Sequence, residues 1–344
     1  MLPTLSICYG TAFCSWKRTL KTTTLFYKEK VMEDIKVSIF VPTYNHQDYI
    51  AQALDSILMQ KVDFNIEVFV GEDCSTDNTR QVLKNYEMNH PHAPIQYFYR
   101  ATNMLKQGLS NSYDLKMRCK GKYIIGLEGD DFWTDPYKLK KQVEFLDNHP
   151  EYIAVAHNCI VVDKNSEPTD EKYPECKDNE YTIEHFVSRI MPGQYTTLLS
   201  RNIFIDDAID KTLLQKRLSP GDQLLYFTLL CYGRISCIQE KMSAYRHITN
   251  GGSSFSATYS YTYEKEERWY FNLMKYAERF NDRKIVHYTE YLYLWNIRTG
   301  QKIEHISKAE SWNDFKKIKD KGIALLLFAV AKIRKKILKK ELVL

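Results

Sequence analysis

Four short β-rich runs, each separated from the next by a helix-length segment, constrain this chain more than any other feature. Val37-Ser-Ile-Phe-Val41 leads into Pro42-Thr43-Tyr44-Asn45, and Ile66-Glu-Val-Phe-Val70 into Glu72-Asp73. Ile95-Gln-Tyr-Phe-Tyr99 leads toward Asn103, and Tyr123-Ile-Ile-Gly-Leu127 into Glu128-Gly129-Asp130-Asp131. Short, mostly apolar runs of this kind are those of strands buried on both faces. Between them, residues 45–60 read as a helix capped by Asn45, with Ile50, Leu54, Ile57 and Leu58 on one face. Ser75, Thr76 and Asp77 offer caps for a second helix carrying Val82, Leu83 and Tyr86, and 108–119 reads as a third. The order βαβαβαβ predicts an α/β fold, a mostly parallel sheet flanked by helices on both faces. Ligands of such sheets sit beyond the carboxyl ends of the strands, where all four polar groups fall.

The last of these groups makes a chemical demand. Glu128, Asp130 and Asp131 place three carboxylates within four residues. Carboxylates repel one another, so a fold gathers them at a strand end chiefly around a cation, and a phosphorylated substrate is the usual occupant of that cation's open positions. A capped helix start before Pro136 is the plainer alternative.

The rest of the chain is less regular. A helix over 139–146, a strand region over 151–163 and a polar loop over 164–180 precede a mainly helical part. That part comprises helices over 222–232, 261–280 and 287–297, with a short strand at 235–238. The organisation expected is an upstream, poorly ordered extension over 1–31 and a domain over 32–250, with a nucleotide-binding half (35–150) and an acceptor half (151–250). A helical region (251–312) and a basic tail (313–344) follow. Eight cysteines form no C-x-x-C pair, which argues against zinc and for a reducing cytoplasm. His157, alone after a strand, reads as a core histidine.

The charge is unevenly placed. From residue 313 onward there are ten Lys/Arg against three Asp/Glu, so the net +5 of the whole chain belongs to the tail. The apolar run over 323–331 is far shorter than the roughly 20 residues of a spanning helix. With lysines on both sides it fits an amphipathic helix on an anionic membrane surface, peripheral on the inner face of the plasma membrane, or a C-terminal helix packed on the body with a solvated basic face. Few aromatics interleave with the basic residues, so nucleic acid is excluded as a partner.

Three blocks in order, residues 37–45, Val70-Gly-Glu-Asp-Cys-Ser-Thr-Asp-Asn78 and Glu128-Gly-Asp-Asp-Phe-Trp-Thr-Asp-Pro136, resemble the family-2 glycosyltransferases of GT-A fold over residues 35–250. The second is similar to that family's V-D-D-x-S-T-D-N signature and the third to its D-x-D region. The resemblance implies that Pro42, Thr43, Tyr44, Glu72 and Asp73 hold the nucleotide base, with Asn103 and Lys106 near the nucleotide. It implies that Glu128, Gly129 and Asp130 form the D-x-D-like site, Glu128 and Asp130 meeting a Mn²⁺ or Mg²⁺ on the diphosphate. Glu128 departs from the usual Asp by one methylene. Ser219-Pro-Gly-Asp222 stands where the family has its base, making Asp222 the catalytic candidate; the same residue also fits an ordinary N-cap. Tyr245-Arg246-His247, before Gly251-Gly-Ser-Ser, resembles a Y-R-x-H region and loop. It offers Arg246 to phosphate charge and His247 as a further metal contact.

The function implied is inverting transfer from a nucleotide-diphospho-sugar, a UDP-sugar above all, to a glycan or lipid-linked acceptor of cell-surface polysaccharide. Two alternatives stand beside it. A sugar nucleotidyltransferase would carry a Gly-rich basic loop after the first strand, where this chain has Pro-Thr-Tyr-Asn. A non-catalytic nucleotide-sugar-binding subunit needs neither base nor metal.

Overall fold

A computed structural model describes residues 34–216, 218, 220–248 and 260–341. The extension over 1–31, the loop over 251–254 and the last three residues of the tail lie outside the described residues.

Strands β1 (Ile35–Thr43), β2 (Asn65–Glu72), β3 (Ile95–Tyr99) and β4 (Tyr123–Gly126) form a parallel array in the order β3-β2-β1-β4. Helices α1 (Ile50–Leu58), α2 (Thr79–Asn89) and α3 (Asn111–Arg118) are its crossovers. The period of two along β1 divides the core. Val37, Ile39 and Val41 pack with Ile50, Leu54 and Ile57 of α1 and Leu83 of α2, whereas Phe40 joins Leu115 of α3 on the other side. Each such fully buried aliphatic side chain contributes about 1.5–3 kcal/mol, which is why the register is not free to slip.

Beyond β4 the sheet changes character. β8 (Leu199–Arg201) runs antiparallel to β4 and to β6 (Tyr152–Val162), and β9 (Arg234–Arg246) runs parallel to β6. β5 (Phe132–Trp133) and β7 (Glu180–Tyr181) add antiparallel to opposite ends of β9. The sequence suggests only a short strand at 235–238, because Gln239, Glu240 and Lys241 interrupt the apolar pattern. These three are exposed, and the pairing with β6 shifts register beside them before Met242, Ser243 and Ala244 are buried again. Helices α4 (Lys138–Asn148), α5 (Ile183–Val187), α6 (Thr212–Gln215) and α7 (Gly221–Tyr232) complete this half.

The C-terminal part is helical: α8 (Tyr263–Ala277), α9 (Arg283–Ile303), α10 (Lys308–Lys316) and α11 (Lys321–Glu341). Gly300 of α9 lets the Tyr263 ring lie against its backbone, since a Cβ there would stand 2.3 Å from that ring. Tyr263 donates to Asp314 of α10 at 2.5 Å, and Phe328 of α11 packs on Trp295 of α9 with ring centroids 5.7 Å apart. Among the described residues no helix is long and apolar enough to cross a membrane.

Candidate active site

Backbone hydrogen bonds splice the strand ends into one edge. Asp73 N donates to Thr43 O at 3.0 Å, and Gly129 N donates to Pro42 O at 3.3 Å. Gly129 is required by this approach: a Cβ would lie 2.7 Å from both Thr43 Oγ1 and His46 Nδ1. Asn45 does not cap α1, which begins at Ile50. Its backbone is left-handed (φ 58°), and its Oδ1 accepts from Thr76 N at 2.8 Å, tying the β1 loop to the β2 loop.

The acids at the end of β2 are fully engaged. Glu72, wholly buried, accepts from Ser75 N and from the Arg80 guanidinium at 2.5 Å. Asp73 accepts from Met104 N at 2.8 Å on one oxygen and from Asn103 Nδ2 at 3.2 Å on the other. Burial pushes the Asp73 carboxyl up, opposed by the Met104 hydrogen bond and the Arg100 charge.

The acids after β4 are arranged otherwise. Glu128, Asp130 and Asp131 bring carboxylate oxygens within 4.8 Å of one another. Asp131, 1% exposed, is fixed by Arg246 N at 2.8 Å and Gln194 Nε2 at 2.9 Å. Asp130 is about a third exposed, and His46 Nε2 lies 3.7 Å from its carboxylate. Among the described residues no hydrogen-bond donor reaches the Glu128 carboxylate. Burial, then the charges of Asp130 and Asp222, push it up to about 8. Asp131 is likewise raised by burial and by its two acidic neighbours.

Asp222 stands in the first turn of α7 and belongs to the same electrostatic pocket as Glu128. Burial raises its carboxyl, while the Gln223 N–H at 2.8 Å and the Lys116 charge hold it down. Lys116 of α3 has its ammonium 5.2 Å from the Phe40 ring centre and 5.3 Å from that of Tyr195. Burial lowers it to about 8, against the pull of Asp222 and Glu128. The Asp222 and Glu128 charges also act on Tyr173 and Tyr195, whose hydroxyls are raised first by burial and then by those charges.

Several expected residues take other positions. Arg246 does not hold a free guanidinium toward phosphate. It is 3% exposed, lies over the Tyr49 ring at 4.2 Å, and commits all five N–H donors within the protein. Nε donates to Asp130 O at 2.8 Å, Nη1 to Asp163 O and Lys164 O, and Nη2 to Gln52 Oε1 and Ser166 Oγ. His247 pairs with Glu171 at 2.6 Å, outside the three-carboxylate group. Lys106 is exposed in a 3₁₀ turn, where its N–H donates to Asn103 Oδ1 at 3.2 Å. His157 is a buried, neutral core residue whose Nδ1 meets Asn158 O at 2.8 Å.

Sequence reasoning misses His46, Lys116, Tyr173, Gln194 and Tyr195. His46 alone has a local signal, its place one residue beyond the Pro-Thr-Tyr-Asn turn. A second group, Cys176, Asp178 and His185, also gathers ligand atoms. There His185 Nδ1 accepts from Thr182 N at 3.1 Å, so Nε2 carries the proton toward Asp178 and the ring serves as a helix cap.

Residues 38–209 match the family model described as Glycosyl transferase family 2. The chain belongs to this family. An uncharacterised Mycobacterium tuberculosis protein is 29% identical over 215 residues, 62% of this chain and 60% of that protein. The poly(ribitol-phosphate) β-N-acetylglucosaminyltransferase TarS of Staphylococcus aureus is 28% identical over 234 residues, 65% of this chain and 38% of TarS. The chain thus spans less than two thirds of these relatives' own lengths. The crystal structure of S. aureus TarS residues 1–349 in complex with UDP-GlcNAc superposes with a TM-score of 0.56 at 18% identity, covering 83% of this chain and 82% of that one. The GT-A fold expected from the sequence is the fold found.

Proposed function

We propose that this family-2 chain is a metal-dependent inverting glycosyltransferase. It would move a sugar from a nucleotide-diphospho-sugar, a UDP-sugar as first choice, to a glycan or lipid-linked acceptor of cell-surface polysaccharide on the cytoplasmic side of the membrane. The observation that carries the reading is the pair Glu128 and Asp130: neighbouring carboxylates at a strand end, without protein hydrogen-bond donors among the described residues, with the Asp222 charge near enough to act on Glu128. TarS, named as an N-acetylglucosaminyltransferase and crystallised with UDP-GlcNAc, supports the donor class.

The donor set fits a hard divalent cation, since it is all oxygen and gathers three mutually repelling carboxylates within 4.8 Å of one another. Asp130 and Glu128 would hold Mn²⁺ or Mg²⁺, which supplies charge neutralisation for the leaving diphosphate. Asp131 fixes the turn that presents them, through Arg246 N and Gln194. Tyr44, half-buried at the end of β1, would meet the base, while the buried Thr43, Glu72 and Asp73 hold the two loops that frame it. Asp222 takes the proton of the acceptor hydroxyl, which requires it ionised, and the nearby Lys116 charge favours that form.

The test is a panel of nucleotide sugars with Mn²⁺, read as release of nucleoside diphosphate and as donor binding by calorimetry. Asp130→Ala is expected to lose donor binding, whereas Asp222→Ala keeps binding and stops transfer. Full turnover by Asp222→Ala removes the base assignment. Donor binding without release in the wild type makes the chain a non-catalytic subunit.

A further inference from the structure

The C-terminal helix α11 has two apolar faces, and only one of them is used by the body. Ala324 is fully buried, and Leu327, Phe328 and Ala331 pack on the core, Phe328 against Tyr291 and Trp295 of α9. Leu325, Leu326 and Val330 point away, 42%, 62% and 38% exposed. On α10, Trp312 is 57% exposed and stacks on Phe315, over which the Lys321 ammonium lies at 5.9 Å. This outer ridge therefore coexists with a docked helix and does not require α11 to leave the body.

The charges around the ridge decide what covers it. Lys317 and Lys319 are paired with Glu267 and Glu278 at 2.9 Å. Lys316, Lys321 and Lys332 have no carboxylate in ion-pair range among the described residues, and lie beside Trp312, Phe315 and Phe328 instead. The sequence adds Arg334, Lys335, Lys336, Lys339 and Lys340 after the ridge. Exposed leucines with an indole, edged by uncompensated lysines, match an acyl boundary beneath anionic headgroups. A second copy of this chain would bring the same net positive charge to the contact.

We infer that the outer ridge of α11, Leu325, Leu326 and Val330 with Trp312 of α10, docks the folded protein on an anionic bilayer surface while the inner face stays on α9. The inference goes beyond the reaction proposed above, and vesicle binding is read without turnover, so either can fail alone.

The experiment is flotation of the full chain with phosphatidylglycerol/phosphatidylcholine vesicles and with phosphatidylcholine vesicles, at low and high salt. Binding to the anionic vesicles is expected, weakened by salt, and reduced about tenfold or more in the Leu325→Asp/Leu326→Asp double variant, with the melting temperature unchanged. Three results would overturn the inference: no binding to anionic vesicles, equal binding to the neutral ones, or binding that the double variant retains in full. Concentration-dependent dimerisation lost in the double variant, without vesicle binding, would assign the ridge to a second copy instead.

Discussion

Two strand ends of the same sheet carry acidic pairs, and the protein treats them in opposite ways. At the end of β2 every carboxylate oxygen of Glu72 and Asp73 has a protein donor: Ser75 N, Arg80, Met104 N and Asn103. After β4, among the described residues, neither Glu128 nor Asp130 has a hydrogen-bond donor on its carboxylate, His46 Nε2 standing 3.7 Å from Asp130. Satisfied acids organise loops; unsatisfied ones store repulsion that a ligand can relieve. Acid content alone therefore does not locate chemistry, whereas the missing donors do.

That contrast can be broken in graded ways. Asp130→Asn should lower turnover by about 10²–10³-fold, measured by diphosphate release, while leaving or raising the melting temperature because a like charge is removed. An unchanged rate would place Asp130 with the loop-organising acids. Next in size, Arg246→Met should cost more than about 3 kcal/mol in urea unfolding, since four carbonyl-type oxygens and a hydroxyl lose their buried donor. Glu72→Gln should cost about 1–2 kcal/mol through the weakened Arg80 contact, with the larger kinetic effect falling on donor KM.

The smallest effect is a pH slope. In the metal-free protein the folded Glu128 carboxyl sits near 8 against an ordinary 4.5. Below 4.5 it is neutral in both states and costs nothing. As pH rises toward 8 the unfolded chain releases that proton first, so stability falls across this window, and Asp131 and Asp222 act in the same direction. Thermal melts should show the decline, flattened by Mn²⁺ and shallower in Glu128→Gln; a slope that Glu128→Gln leaves intact assigns it to the other acids.

The parallel half of the fold is legible in the sequence because its strands are short apolar runs whose boundaries coincide with polar motifs, β3 to the residue. The acidic group after β4 is legible for the same reason. What escapes is pairing across distance. Gln194 reaches Asp131 over 63 positions, and Lys116 shares a pocket with Asp222 over more than a hundred, so no local pattern announces them. Arg246 misleads because a sequence displays a charge and not the carbonyls that consume its donors. Asn45 reads as a cap because its residue type suits one; the left-handed turn that its neighbour loop imposes leaves no trace in composition.

The fixing of Asp131 also bears on how the chain can be divided. Its two oxygens are satisfied by Gln194 and by the backbone of Arg246, and both belong to the half that follows β6. A fragment ending near residue 150 would leave that carboxylate with neither donor. The nucleotide edge is consequently no transplantable module: its last acid becomes properly seated only after the ribosome has delivered β9.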